Sequence, residues 1–151
     1  MSNHTQNFEE RKKNNDAEIY FEKFAKKNKL IYEKFGFDQL HSEIKGWDFN
    51  KIPKFIRNRP DYIVISSKAK FVEVKGGTDT IRVKESDLKS YDKWNKEMDV
   101  YYFFYSSTRK THRWKKHTEV MELLNKCEKG QFHDHTKDDK KIYYKIDWIL
   151  L

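Results

Sequence analysis

Apolar residues recur at helical spacing near the beginning of the chain. From Asn15 to about Asn28 they share one face, which predicts an amphipathic helix whose buried side is formed by Ala17, Phe21, Phe24 and Ala25. Residues 1–14 are polar and are expected to form a flexible N-terminal tail. Residues 15–151 are expected to form a single domain, because no internal repeat or linker-like stretch divides them.

Two further helices are predicted. In SDLKSYDKWNKEM (residues 86–98), Ser86 is the predicted N-cap, and one helix face is formed by Leu88, Tyr91, Trp94, Asn95 and Met98. The segment TEVMELLNKC (residues 118–127) predicts a shorter helix with its apolar residues on one side.

Stretches rich in β-forming residues predict the strands. Residues 61–65 and 70–75 are predicted strands, joined by a polar turn around Ser67 and Lys68. The apolar run VYYFFYSS suits a strand that is covered on both faces near the centre of a sheet. The final segment, IYYKIDWILL, predicts a closing strand.

Three segments have a weaker pattern. Residues 29–49 contain short aromatic and aliphatic clusters, which are compatible with a helix end and one or two strands. KIPKFIRNRP (residues 51–60) is a basic connector whose prolines disfavour a helix. GGTDTIRVKE (residues 76–85) is predicted to be a loop or a short strand. The order of helices and strands indicates an α/β domain with a mixed sheet.

Charge and composition narrow the class of protein. The 151 residues carry a formal net charge of +8, which favours polyanionic partners because neutralised phosphates release counterions. No apolar run is long enough to cross a bilayer or to act as a secretion signal, so the expected location is the cytoplasm. A single cysteine, Cys127, is predicted to be inert packing in a reducing compartment.

Three charged residues stand where buried strand residues are expected. Glu73 and Lys75 share one strand face, and a hairpin places Asp61 opposite one of them. Two converging carboxylates repel each other and lose hydration, which a divalent cation would offset. Oxygen ligands suit Mg²⁺ or Mn²⁺, and such an ion can activate water beside a phosphate. The alternative is an exposed edge hairpin that carries an ordinary Glu-Lys pair.

The same residues carry a resemblance to a known family. Pro60-Asp61, followed by Glu73-Val74-Lys75, resembles the motif of the PD-(D/E)xK nuclease superfamily, over a core of about residues 15–106. The resemblance implies a restriction-endonuclease-like αβββαβ fold with helices flanking a mixed central sheet. It also implies that Asp61 and Glu73 bind Mg²⁺, that the Val74 carbonyl contributes, and that Lys75 is catalytic. Mn²⁺ is expected to support activity too.

A further acid in the first helix would fit the same resemblance. Relatives often carry an Ala-Glu pair before an aromatic residue, and Ala17-Glu18 with Phe21 matches that arrangement, so Glu18 is the first candidate. Alternatively, Asn15 caps the helix and Glu18 completes a capping box. Glu22, one turn later, is the second candidate ligand, and Glu43 is a more distant one.

One position departs from part of the family. RecB-like and lambda-exonuclease-like relatives carry a glutamine four residues before a tyrosine, whereas here Asp87 precedes Tyr91. This difference argues against those exonuclease branches. Tyr91 is therefore interpreted as a core residue.

Several basic residues are candidates for contact with nucleic acid. Trp114 lies within one basic segment and is a candidate for stacking. The candidates are Arg57, Arg59, Lys89, Arg109, Lys110, Arg113 and Lys116. For each of them the alternative is a solvated surface charge. His133, Asp134 and His135 with Cys127 do not supply the four well-spaced ligands of a structural zinc site.

The expected function is divalent-metal-dependent endonucleolytic cleavage of DNA. A small single-domain member resembles phage endonucleases and Holliday junction resolvases, which implies a possible homodimer in a bacterial or phage-infected cell. A non-catalytic nucleic-acid-binding module with the same fold is the second hypothesis. A structural protein with a fortuitous motif is the third.

Overall fold

The computed structural model describes residues 3–37, 44, 47–133 and 140–151. The side chains of residues 3–14, 132, 133 and 140 are not described. The helices are α1 (Asn3–Lys27), α2 (Trp47–Lys51), α3 (Lys54–Arg57), α4 (Glu85–Glu97) and α5 (His117–Leu123). The strands are β1 (Ile31–Lys34), β2 (Tyr62–Ile65), β3 (Ala69–Gly77), β4 (Thr80–Lys84), β5 (Val100–Ser106), β6 (Thr111–Lys116), β7 (Glu128–His133) and β8 (Lys140–Asp147). Short 3₁₀ turns follow at Leu124–Lys126 and Trp148–Leu150.

The main sheet is five-stranded and mixed. Its strand order is β1-β2-β3-β5-β6, so β3 is the middle strand. Strands β3 and β5 pair in parallel, with Glu73 opposite Tyr102, and the other neighbours pair antiparallel. A second, antiparallel sheet has the order β4-β8-β7. The predicted α/β architecture is confirmed, and the elements α1, β1, β2, β3, α4 and β5 follow the expected αβββαβ order.

Each face of the main sheet has its own apolar core. Against α1, the buried residues are Ala17, Phe21, Ala25, Tyr62, Val64, Val72, Val74 and Phe103. The opposite face packs against α4, α5 and the second sheet through Phe71, Ile81, Val83, Leu88, Tyr91, Val100, Tyr102, Phe104, Val120, Leu124, Ile146, Trp148 and Leu151. Strand β5 supplies buried residues to both cores, which is why its sequence is a nearly continuous apolar run.

Two predicted helix starts were wrong. Helix α1 begins at Asn3, so Asn15 lies inside it and no capping box forms between Asn15 and Glu18. Helix α4 begins at Glu85, with Lys84 at the N-cap, and Ser86 lies in the first turn. The backbone of residues 3–14 is thus helical, and the proposed division into a tail and a domain at residue 15 stays a prediction.

Two expected connectors contain regular structure. Pro53 precedes the short helix α3 as its N-cap, a position where a missing N–H costs nothing. The basic segment after β5 continues as β6, which pairs with β5 at the edge of the main sheet. Strand β5 lies between β3 and β6, next to the middle strand, so the prediction of a strand near the centre of a sheet is confirmed. No helix in the described part of the chain is long and apolar enough to span a membrane.

The core against α1 predicts a large stability difference between two positions of the same helix. Phe21 is fully buried, whereas Ile19 is 47% exposed. Phe21→Ala should lower the free energy of unfolding by about 3–5 kcal/mol because it leaves a cavity, measured by urea denaturation. Ile19→Ala is the matched control and should change it by no more than about 0.5 kcal/mol. Equal losses would contradict the described packing of α1.

Candidate active site

Two neighbouring strands bring three charged side chains to one face of the main sheet. Tyr62 of β2 pairs with Val72 of β3, so Asp61, immediately before β2, lies opposite Glu73. Glu73 and Lys75 alternate with the buried valines of β3, so they point away from α1 and toward α4. The two strands thus place the acids and the lysine together, as expected from the hairpin.

Hydrogen bonds fix the position of these groups. The Lys75 ammonium lies 2.7 Å from Glu73 Oε1 and 3.4 Å from Asp87 Oδ2. The Lys75, Glu73 and Asp87 side chains are only 16%, 3% and 15% exposed, respectively, so water screens their attraction weakly. The amide of Val74 donates a hydrogen bond to Asp61 Oδ2 at 2.8 Å. The site is therefore held by β3 and by the first turn of α4.

The charges change the proton affinities of the site. Burial raises the pKa of Asp61 well above its ordinary value, and the negative charge of Glu73 adds to this effect, although Lys75 opposes it. Burial alone would lower the pKa of Lys75, but the charges of Glu73, Asp87 and Asp61 outweigh it and raise that pKa above its ordinary value. Lys75 therefore stays protonated at neutral pH and acts as a cation.

The acids offer part of a metal site. Glu73 Oε2 is buried and has no hydrogen-bond partner among the described residues, which is costly for a carboxylate oxygen unless something else binds it. Asp61 lies opposite Glu73 in the β2–β3 register, and the charge of Glu73 destabilises its ionised form. In the described part of the chain, no three His, Cys, Asp or Glu side chains form a metal-binding group. The pair fits a cation such as Mg²⁺, which commonly takes one or two carboxylates and completes its shell with water and phosphate.

The two glutamates of α1 differ in their surroundings. The charge of Glu18 contributes to the raised pKa of Asp61, although Glu18 also lies 3.7 Å from the ammonium of Lys34. Glu22 accepts a hydrogen bond of 2.9 Å from the hydroxyl of Tyr62. Glu18 is thus electrostatically linked to Asp61, while Glu22 is engaged elsewhere. Glu43 lies outside the described residues.

Asp87 is the site residue that sequence reasoning missed. It was noted only as a replacement for glutamine, yet it is the second carboxylate beside Lys75. The available signal was its position four residues before Tyr91, in the predicted first turn of a helix. Tyr91 is buried in the core, as predicted.

The basic candidates do not form one cluster. Lys89 is exposed on α4 and pairs with Glu85 at 3.0 Å. Arg109 and Lys110 lie in the turn between β5 and β6, where Arg109 is 3.4 Å from Asp79. Arg113 and Lys116 lie on β6, and Arg113 is stacked at 5.1 Å over the ring of Trp148. The basic segment that contains Trp114 thus forms a turn followed by the edge strand β6.

Two predictions about side chains near this edge have different outcomes. Trp114 packs against Phe21, Phe24 and Phe103 beneath α1, so it is not a free ring for stacking on a base, and that prediction was wrong. Cys127 packs against the core, as expected, and burial raises the pKa of its thiol. The side chains of His133, Asp134 and His135 lie outside the described set.

Arg57 and Arg59 precede Asp61 in the chain and lie within a cluster of aromatic rings. The guanidinium carbon of Arg59 lies 3.9 Å from the ring centre of Phe37 and 4.9 Å from that of Phe35. The guanidinium carbon of Arg57 lies 5.6 Å from the ring centre of Phe49. Burial lowers the pKa of Arg59.

The chain was compared with known families, curated proteins and solved structures. No family model matches it, and no curated protein does. Its structure is similar to that of D212, a nuclease from a fusselovirus, with a TM-score of 0.48 and 12% sequence identity. The similarity covers 87% of this chain and 77% of D212.

The raised pKa of Asp61 predicts that its charge destabilises the metal-free fold. The unfolded state loses this proton near pH 4, whereas the folded state retains it to higher pH, so stability is lost as pH rises between the two values. In EDTA at pH 7, Asp61→Asn should raise the free energy of unfolding by about 1 kcal/mol or more, and the gain should shrink toward pH 4. The asparagine oxygen can still accept the Val74 hydrogen bond.

Urea denaturation between pH 4 and pH 8 measures this difference. Asp48→Asn is the control, because Asp48 is 71% exposed and forms a surface pair with Lys51. A variant at position 61 that is no more stable than the wild type at pH 7 would contradict the described electrostatics.

Proposed function

We propose that the protein is a divalent-metal-dependent endonuclease that hydrolyses DNA phosphodiester bonds, in the manner of PD-(D/E)xK nucleases. One observation carries the proposal: the carboxylates of Asp61 and Glu73 face each other beside a protonated Lys75, and a buried oxygen of Glu73 has no partner among the described residues. Opposed buried acids are costly in a purely structural role. The net charge of +8 suits a polyanionic substrate.

Asp61 and Glu73 would hold Mg²⁺, or Mn²⁺ in its place, with Glu18 and the Val74 carbonyl as further proposed ligands. When bound, such an ion activates a water and neutralises charge on the phosphate. In the hydrolysis, a water oxygen would form a bond to phosphorus while the bond to the leaving oxygen breaks, and a proton of the water would pass to the leaving oxygen.

Lys75 is proposed to stabilise charge instead of removing a proton. Its raised pKa keeps it protonated beside Glu73 and Asp87, which suits a donor to a phosphate oxygen or to the attacking water. Asp87 holds the ammonium from the side of α4. A general base would need a neutral amine, which this surrounding of carboxylates disfavours.

The substrate form is a separate part of the proposal. A phage-type or junction-resolving nuclease is proposed, because the small domain with its short motif resembles those proteins. A homodimer would place two sites on one four-way junction. Lys89, Arg109, Lys110, Arg113 and Lys116 are proposed contacts to the DNA backbone.

A non-catalytic nucleic-acid-binding module is the second candidate. The observation in its favour is that Lys75 already occupies Glu73 Oε1 at 2.7 Å, so an internal cation neutralises part of the acidic charge. In this case the Lys75–Glu73 ion pair has a structural role, and the basic surface binds nucleic acid without cleaving it.

Cleavage assays separate the two candidates. Labelled linear duplex, single-stranded and four-way-junction DNA should be cut with Mg²⁺ or Mn²⁺ and remain intact in EDTA. Lys75→Ala should lower the cleavage rate by about 10²–10³-fold, because it removes a preorganised charge, while Lys51→Ala, a change at an exposed ion pair, should not. Tight binding of all three DNAs without cutting by the wild type would favour the binding module.

Metal titration tests the assignment of the third ligand. Mn²⁺ should raise the thermal midpoint of the wild type, since a ligand of the native state stabilises it. Glu18→Gln should weaken the apparent Mn²⁺ affinity by about 10-fold or more, because the charge of Glu18 acts on Asp61. Glu22→Gln is the matched control on the next turn of α1 and should bind Mn²⁺ as the wild type does. Weakened Mn²⁺ binding in Glu22→Gln but not in Glu18→Gln would identify Glu22 as the third ligand.

A further inference from the structure

A ladder of aromatic rings and guanidinium groups lies beside the acids. Phe35 and Phe37 follow β1, and the guanidinium of Arg59 lies over both of their rings. Phe37 also contacts Phe49 of α2, with ring centres 5.6 Å apart, and Arg57 at the end of α3 lies over Phe49. Five side chains from four segments thus form one continuous series of contacts, in which Phe37 and Phe49 meet edge to face.

Neither arginine of this ladder is neutralised by an acid within the described residues. Arg57 donates a hydrogen bond of 3.2 Å to the amide oxygen of Asn50, and the Nε atoms of both arginines are buried with no hydrogen-bond partner in the part of the chain that the structure describes. By contrast, Lys75 has two carboxylates and Arg109 has one. Aromatic faces offset part of the cost of removing a guanidinium from water but leave its positive charge available.

The ladder is attached directly to the candidate ligand Asp61. The carbonyl of Asp61 accepts hydrogen bonds from the amides of Phe35, at 2.7 Å, and Gly36, at 3.0 Å. A Cβ atom at Gly36 would lie 3.3 Å from the Cα of Asp61, so the two backbone segments are in close contact. Arg59 is separated from Asp61 by the buried Pro60 alone. The backbone that carries Phe35 is therefore held against Asp61, and Arg59 lies both over the Phe35 ring and two residues before Asp61 in the chain.

We infer that Arg59 and Arg57 form a phosphate-binding subsite that holds the nucleic-acid backbone next to the phosphate to be cleaved. The inference rests on the proposed function for the identity of the cleaved bond. A planar guanidinium binds phosphate through two parallel N–H donors, and contact with aromatic rings restricts the movement of that fork before the substrate arrives. The cost of ordering a flexible arginine on binding is thereby reduced.

The same geometry determines which part of the nucleic acid the subsite recognises. The ring of Phe35 packs on Phe71 and Trp94, Phe37 and Phe49 contact each other, and all three rings lie against guanidinium groups, so we do not expect them to stack on bases. Contacts to phosphate carry no direct sequence information. The subsite accordingly strengthens binding to all sequences equally and sets the position of the backbone over Asp61.

Binding of a labelled oligonucleotide in EDTA tests the subsite without any cleavage. The dissociation constant is measured over a series of salt concentrations, for the wild type, Arg59→Met and Arg59→Lys. Arg59→Met should weaken binding by about 10-fold and make the slope of log K against log salt shallower by about 0.7–0.9, the value for one lost phosphate contact. Arg59→Lys should keep the slope but not the full affinity, because an ammonium lacks the planar fork.

Arg82→Met is the matched control. Arg82 also stacks on a ring, 4.9 Å from the centre of Tyr143, but it lies on β4 in the second sheet. This variant should retain the wild-type slope. Thermal unfolding establishes that each variant is folded, and Arg57→Met provides an independent test should Arg59→Met be unfolded.

Three results would overturn the inference: an unchanged slope in a folded Arg59→Met or Arg57→Met, an equal loss in Arg82→Met, or full affinity in Arg59→Lys. The proposed subsite and the proposed nuclease activity can be refuted independently. A slope that depends on Arg59, combined with no metal-dependent cutting by the wild type, supports the subsite and refutes the nuclease. Metal-dependent cutting with an unchanged slope supports the nuclease and refutes the subsite.

Discussion

The ion pair between Lys75 and Glu73 is the interaction on which the site depends. Both groups lie on the middle strand of the main sheet, where an isolated charge would cost several kcal/mol to bury. Their 2.7 Å contact, supported by Asp87, makes that burial tolerable. It also leaves one oxygen of Glu73 unpartnered among the described residues, so the same arrangement that allows the charges to be buried keeps an acceptor available.

The alternation of β3 divides structural and chemical roles between the two faces of one strand. Val72 and Val74 pack beneath α1, while Glu73 and Lys75 face α4. The parallel partner β5 places Tyr102 opposite Glu73. It also supplies buried apolar residues to both faces of the sheet beside these charges. The charges are therefore enclosed by a rigid apolar framework, which keeps their spacing fixed and the local dielectric constant low.

Local patterns in the sequence were sufficient for part of this arrangement. The hairpin of β2 and β3 followed from alternation and from a polar turn, and the hairpin placed Asp61 opposite Lys75 or Glu73, of which the register selects Glu73. The role of Asp87 did not follow from local patterns, because its contact with Lys75 depends on how α4 packs on the sheet.

Other features also depended on packing between distant segments. Trp114 occurs among basic residues and therefore resembled a surface ring, yet it completes the aromatic core beneath α1. The strand β6 forms because β5 offers it an edge, although its own sequence is polar and basic. Capping residues were misplaced for a related reason: Asn15 and Ser86 are good caps, but the helices continue past them. Tertiary contacts overrode these local preferences.

The two hydrogen bonds from Phe35 and Gly36 to the carbonyl of Asp61 couple segments that are more than twenty residues apart in the chain. The position of Asp61 therefore depends on both segments. A transplant of the charged hairpin alone into another sheet would carry the carboxylates but lose the backbone that orients the first of them. The smallest portable unit of this site consequently includes the residues after β1, and substitutions there and around Pro60 are expected to be accepted only in compatible pairs.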